Sequence, residues 1–206
     1  MTVSAEERHD AIAPRAAADP AEAHLVARAR QNDAAAWETL VRAYEAHVFR
    51  LAYLVLRDAA AAEDVAQETF VRAFLSLAQF DETRPLRPWL TRIAVNQARN
   101  RRRARGRYRS YLDRLLRRTQ PSGDVRGRGE QRLQAAWQSQ QLAGAVRQLG
   151  DIAQEVIYLR YYLDMSEAEM AEALDVPAGT VKSRLHRALR QLRDVVKQDF
   201  PELAEG

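Results

Sequence analysis

Apolar residues recur three and four positions apart along most of this chain, the spacing of helices with one buried face. From Trp37 the series Leu40, Val41, Tyr44, Val48, Leu51 and Val55 forms one stripe. Asp33 precedes it as an N-cap, because a short acidic side chain accepts the free amides of a first turn. Ala21–Arg30 supports a shorter helix ahead of it, and Asp58 caps a third, with Val65, Ala66, Phe70, Ala73, Phe74 and Leu77 facing inward. Two prolines make Phe80–Pro88 a loop. A fourth helix runs from Trp89 to about Arg103, anchored by Trp89, Leu90, Ile93 and Ala94. Beyond it the pattern thins, and Tyr108, Tyr111, Leu112, Leu115 and Leu116 support only a marginal helix. Thr119–Gly129 carries Pro121, Gly123, Gly127 and Gly129 and reads as a linker.

Helical spacing resumes near Leu133. Trp137, Leu142, Val146 and Leu149 form one stripe, and Ile152, Val156, Ile157, Leu159 and Tyr162 the next. Ser166 with Glu169 has capping-box spacing and opens a short helix that turns Met170, Ala171 and Leu174 inward. Asp175–Gly179 interrupts it with a proline and a glycine. A last helix then sets Val181, Leu185, Leu189 and Leu192 on one side and Lys182, Ser183, His186, Arg187 and Arg190 on the other. Helix, tight turn and basic second helix is the helix-turn-helix layout, whose second helix enters the DNA major groove. An ordinary helical hairpin with a solvated basic face shares the stripe; the cap, the turn and the side-chain mix together favour the DNA-binding reading.

No run of alternating β-branched residues is present, so the expected fold is all-α: two small helical domains joined by a flexible basic linker. The expected boundaries are a tail at 1–20, a first domain at 21–103, a linker at 104–132, a second domain at 133–200 and a tail at 201–206.

The formal net charge over 206 residues is only +4, but the charge is segregated. Arginine crowds Arg99–Arg118, while Ala59–Glu68 is acidic, which suggests a nucleic-acid surface and a separate protein-binding surface. The chain has no cysteine, so disulfides and thiolate metal sites are excluded. His9, His24, His47 and His186 lack ligand spacing, and no metal or cofactor is expected. No apolar run reaches the roughly 18 residues of a membrane span, and Met1–Pro20 lacks the apolar core of a secretory signal, so a cytoplasmic protein with no membrane insertion is expected. A Gly-rich phosphate loop and a nucleophile elbow are both missing, which argues against an enzyme.

Three constellations remain besides the last helix. Glu63, Asp64, Gln67 and Glu68 cluster on the outer side of the third helix; either a docking face or a solvated, dipole-favoured helix N-terminus accounts for them. Asn96 and Asn100 lie four apart and share a face, with Arg92, Arg99 and Arg103 close by. Amides suit base edges and arginines suit phosphates. The run Arg99, Arg101, Arg102, Arg103, Arg105, Arg107 and Arg109 suits a non-specific phosphate surface or a basic linker that touches nothing.

Asp58–Phe74 reads D-A-A-A-A-E-D-V-A-Q-E-T-F-V-R-A-F, and Leu86–Asn100 reads L-R-P-W-L-T-R-I-A-V-N-Q-A-R-N. With the terminal helix-turn-helix in this order, the chain resembles bacterial RNA polymerase sigma factors of the extracytoplasmic-function (ECF) group over roughly Leu25–Arg103 and Leu133–Lys197. The resemblance implies regions 2 and 4 on a flexible connection, and promoter-specific transcription initiation without catalysis. It implies that Glu63, Asp64, Gln67 and Glu68 dock on core RNA polymerase. It also implies that Arg92, Asn96, Arg99, Asn100 and Arg103 serve the −10 element of promoter DNA, where a base is flipped out. Thr180, Lys182, Ser183, Arg184, His186, Arg187 and Arg190 then face the −35 element, and an anti-sigma factor is the implied regulator. The alternative is a stand-alone regulator with an N-terminal dimerisation domain, and a polymerase pull-down separates the two.

Overall fold

The computed structural model describes residues 18–116 and 140–200, together with Glu202. Trp137, the Thr119–Gly129 linker, residues 1–17 of the first tail and all of the second tail but Glu202 lie outside the described residues. Among the described residues every regular element is helical.

The first lobe holds α1 (Pro20–Arg30), α2 (Ala34–Leu56), α3 (Ala59–Ser76) with a short 3₁₀ turn at Leu77–Gln79, and α4 (Leu86–Leu116). Local capping starts each of the first three. Asp19 accepts from the Ala21 amide, Asp33 from Ala35 and Ala36, and Asp58 from Ala61. These amide bonds are the largest cause holding the Asp33 and Asp58 carboxyls below the usual range. Arg57 ends α2 in the left-handed conformation, with φ 54°.

Helix α4 departs from expectation at both ends. It begins at Leu86 rather than Trp89, because the carboxylate of Glu22, on α1, takes the Leu86 amide at 2.8 Å. Pro88 sits in the first turn, where its missing N–H is not needed. At the other end the helix continues to Leu116, through the arginine run. Residues 104–116 therefore advance about 1.5 Å each as helix, which shortens the greatest reach of the segment after Arg103 compared with a fully extended chain of about 3.3–3.6 Å per residue.

The second lobe holds α5 (residues 140–148), α6 (Asp151–Ile157) continued by a π-helical turn at Tyr158–Tyr162, α7 (Glu167–Leu174) and α8 (Ala178–Asp199). The capping box at α7 is complete: the Glu169 amide donates to Ser166 Oγ, and the Ser166 amide donates to Glu169 Oε2. Asp175 closes α7 in the left-handed conformation and lets the chain turn into α8.

One core joins Val26, Ala29, Ala36, Leu40, Leu77, Phe80, Leu86 and Leu90 within the first lobe. A second spans both lobes. It unites Val48, Leu51, Ala94 and Val95 with Val156, Leu159, Leu163, Met165, Met170, Val181 and Leu185. Three expected core residues are exposed instead. Leu142 and Ile152 are 42% and 56% exposed, and Phe74, at 41%, leans on Trp37 from the edge of the bundle. Trp89 is partly buried and packs on Phe80, a core role.

Candidate nucleic-acid interface

Glu63, Asp64, Gln67 and Glu68 are all exposed on α3, while Ala61, Ala62, Val65 and Thr69 on its opposite side are buried. Two of the acids hold weak surface pairs: Asp64 with Arg101 at 2.6 Å and Glu68 with Arg72 at 2.6 Å. Such exposed pairs contribute about 0–1 kcal/mol each and leave the carboxylates free to exchange partners. The exposed Val71 and Leu75 continue this face toward the C-terminal end of α3.

Between α3 and α4 lies an open groove of about 710 Å³, lined by Arg72, Leu75, Ser76, Ile93, Asn96, Gln97 and Asn100. Asn96 and Asn100, singled out by their spacing, share it. The groove offers amides that both donate and accept, and an apolar wall from Leu75 and Ile93, the chemistry suited to an unstacked base. Asn100 also accepts from Arg103 at 2.7 Å.

The remaining arginines of this set are engaged elsewhere. Arg92 pairs with Asp175 at 2.8 Å. Arg99 donates to both oxygens of Glu155, which is only 6% exposed. Both partners belong to the second lobe, and no sequence signal marked either one as a partner for α4.

In the helix-turn-helix, Val181, Leu185 and Ala188 are buried, while Lys182, Ser183, His186, Arg187 and Arg190 are exposed on the far side of α8. Thr180 is half-buried in the first turn. Ser183 Oγ donates to the Thr180 carbonyl at 3.0 Å, and Arg187 Nε to the Ser183 carbonyl at 3.2 Å. Pro177 precedes α8 without a side-chain cap, and its carbonyl accepts from the Thr180 amide at 2.9 Å, which leaves the Ala178 and Gly179 amides as the first-turn donors for an anion. Arg184 is set apart from this face. It lines the cleft between the lobes with Arg99, Arg102, Asp151 and Glu155.

His47 is held where the lobes meet. Thr91 Oγ donates to the Arg87 carbonyl at 2.8 Å, so the 2.9 Å contact from His47 Nε2 is a donation from the ring to Thr91. Burial, with Arg87 nearby, lowers the His47 pKa to about 4, and the ring is neutral. Among the described residues no group of His, Asp and Glu is placed to hold a metal, and no helix is long and apolar enough to cross a membrane.

Comparison with known proteins agrees with this layout. Residues 40–108 match the family Sigma-70 region 2, and residues 139–192 match Sigma-70, region 4. The ECF RNA polymerase sigma factor SigW of Bacillus subtilis (strain 168) is 33% identical over 181 residues, covering 82% of this chain and 96% of the relative. The ECF RNA polymerase sigma factor SigL of Mycobacterium tuberculosis (strain H37Rv) is 39% identical over 171 residues, covering 80% and 94%. The solved structure of CnrH in complex with the cytosolic domain of CnrY covers 87% of this chain and 99% of that one, at 27% identity and a TM-score of 0.63. With both regions present, in order and across nearly the full length of these relatives, the chain belongs to the ECF group of RNA polymerase sigma factors, the proteins that direct promoter-specific transcription initiation.

Proposed function

We propose that this sigma factor divides its work among three surfaces. Residues 21–103 form region 2, in which Glu63, Asp64, Gln67 and Glu68 dock on core RNA polymerase. Asn96 and Asn100, with Arg92, Arg99 and Arg103, hold the opened −10 element. Residues 133–200 form region 4, which reads the −35 element through Lys182, Ser183, His186 and Arg187. Thr180, Arg184 and Arg190 contact the DNA backbone in this reading. The observation that carries it is the sorting of α8 into a buried apolar side and an exposed polar, basic one, behind a turn closed by Asp175. The amide-lined groove on α4 is independent support.

The protein acts in the cytoplasm, with core polymerase and promoter DNA as partners and no catalytic step of its own. An anti-sigma factor is a further partner. CnrH, which shares this fold, is complexed with the cytosolic domain of CnrY. Run-off transcription by reconstituted polymerase on a promoter library tests the reading. Transcripts that depend on this chain and share two spaced elements are expected; a protein that binds duplex DNA but never core polymerase would overturn it.

A further inference from the structure

Arg84, Arg87, Arg92, Arg99 and Arg102, at the start of α4 and along it, each pair with an acid of the second lobe. The partners are Glu172, Glu169, Asp175, Glu155 and Asp151 respectively. They come from α6, α7 and the turn into α8, so the acids form one continuous face. Arg87 also donates to the Leu163 carbonyl, and Arg160 on the same lobe turns back to its own Met165 carbonyl. Apolar contact reinforces the pairing, because Val48, Leu51, Ala94 and Val95 share a core with Val156, Leu159 and Met170.

The exposed side of α8 is not part of this contact: Lys182, Ser183, His186, Arg187 and Arg190 all face outward. The two DNA surfaces are therefore in opposite states in one conformation. We infer that the acidic face of the second lobe is an intramolecular docking surface for the α4 arginines, occupying them as a nucleic-acid backbone would, so that the closed chain shows its −35 helix while withholding its −10 arginines. The inference rests on the proposed −10 role of Arg92 and Arg99.

The competition follows from charge. A carboxylate and a phosphate oxygen ask for the same guanidinium donors, and an arginine such as Arg99, with both oxygens of Glu155 bonded, has fewer left to give. When the binding-competent form is a small fraction of the molecules, apparent affinity falls by that fraction. Region 4 and single-stranded DNA thus compete for Arg92 and Arg99, and docking on polymerase, which must separate the lobes to reach both promoter elements, releases these arginines.

The chain has no cysteine, so Gln79→Cys and Gln198→Cys, both at exposed positions, give a full-length protein labelled once on each lobe for energy transfer. Asp151→Lys with Glu172→Lys reverses both ends of the acidic face. Adding Arg84→Glu and Arg102→Glu restores the pairs with opposite polarity, and neither arginine belongs to the proposed −10 set. Glu167→Lys with Asp194→Lys makes the same charge change away from the interface. The probes are a short mixed-sequence single-stranded oligodeoxynucleotide and its duplex. The reversed variant is expected to lose energy transfer and to bind the single strand at least about tenfold more tightly than the charge-matched control, when no more than about a tenth of the control is open. Duplex binding is expected to equal that of the control, and the four-fold swapped variant to recover both transfer and weak single-strand binding. Unchanged transfer in the reversed variant, with native circular dichroism, would overturn the inference. So would opening without a gain over the control. In that second case Arg92→Ala and Arg99→Ala in the opened protein locate the fault: single-strand affinity that does not change places it in the −10 assignment.

Discussion

Asn96 and Asn100 stand one helical turn apart on α4 and open on the same groove, with Leu75 of α3 among its walls. A residue pair that presents donors and acceptors into an open, partly apolar groove is equipped to hold a base by its edge. Asn96 is exposed, so its removal leaves the core intact. Asn96→Ala is expected to slow open-complex formation on both linear duplex and pre-melted template while leaving −35 binding near wild type. Wild-type rates on both templates would take Asn96 out of the site.

Charge reversal at Asp64 and Glu68 is expected to weaken core-polymerase binding with the fold preserved. Their pairs with Arg101 and Arg72 are surface pairs of about 0–1 kcal/mol, so little stability depends on them. Polymerase affinity and circular dichroism, measured on the same variant, give the answer. Native spectra with undiminished affinity would move the docking surface elsewhere on the first lobe.

Arg187→Ala is expected to cost about 1–3 kcal/mol and relax preference at one −35 position, as loss of a bidentate base contact does. Arg190→Ala, one turn further along α8, is expected to weaken binding evenly across sequences and to flatten its salt dependence, because phosphates carry no sequence. Titration against single-base −35 variants at two salt concentrations separates them. If neither variant shifts preference, readout passes to Lys182, Ser183 or His186.

Acid is expected to destabilise the folded chain through His47. The folded pKa of about 4 lies below the ordinary 6.5, chiefly through burial and then through Arg87 and Arg50, while Glu169 works in the opposite sense. The unfolded chain therefore takes up the proton first. The stability linked to a neutral His47 is complete above about pH 6.5 and declines as pH falls toward 4. Imidazole titration by NMR, alongside urea melts across that interval, checks the sign; a ring that titrates near 6.5 in the folded protein would remove this contribution.

Ser166→Ala is expected to destabilise the second lobe by about 1 kcal/mol, since both halves of the capping box at α7 pass through this residue and Glu169. Thermal melting reads the loss. Ser166→Thr, which retains the hydroxyl, is expected to keep most of the stability.

Features that depend on neighbours within a turn are legible in the chain before it folds. Asp33, Asp58 and the Ser166–Glu169 pair start their helices in the structure as their spacing requires, because capping bonds reach only two or three residues. The acidic face of α3, the shared face of Asn96 and Asn100 and the two sides of α8 were legible for the same reason: helical period alone sets which side chains lie together. What lies far along the chain was not legible. Glu22 starts α4 at Leu86, 64 residues away, and so draws Leu86 and Pro88 out of the expected loop. Ile152 carries the same apolar spacing as Val156, yet it stays exposed and lines a groove beside Arg184 and Arg187, because the core packs against the other side of α6. Arg92 and Arg99 looked like free phosphate contacts. Their partners Asp175 and Glu155 lie 83 and 56 residues further on, and only the docking of one lobe on the other brings those charges into reach.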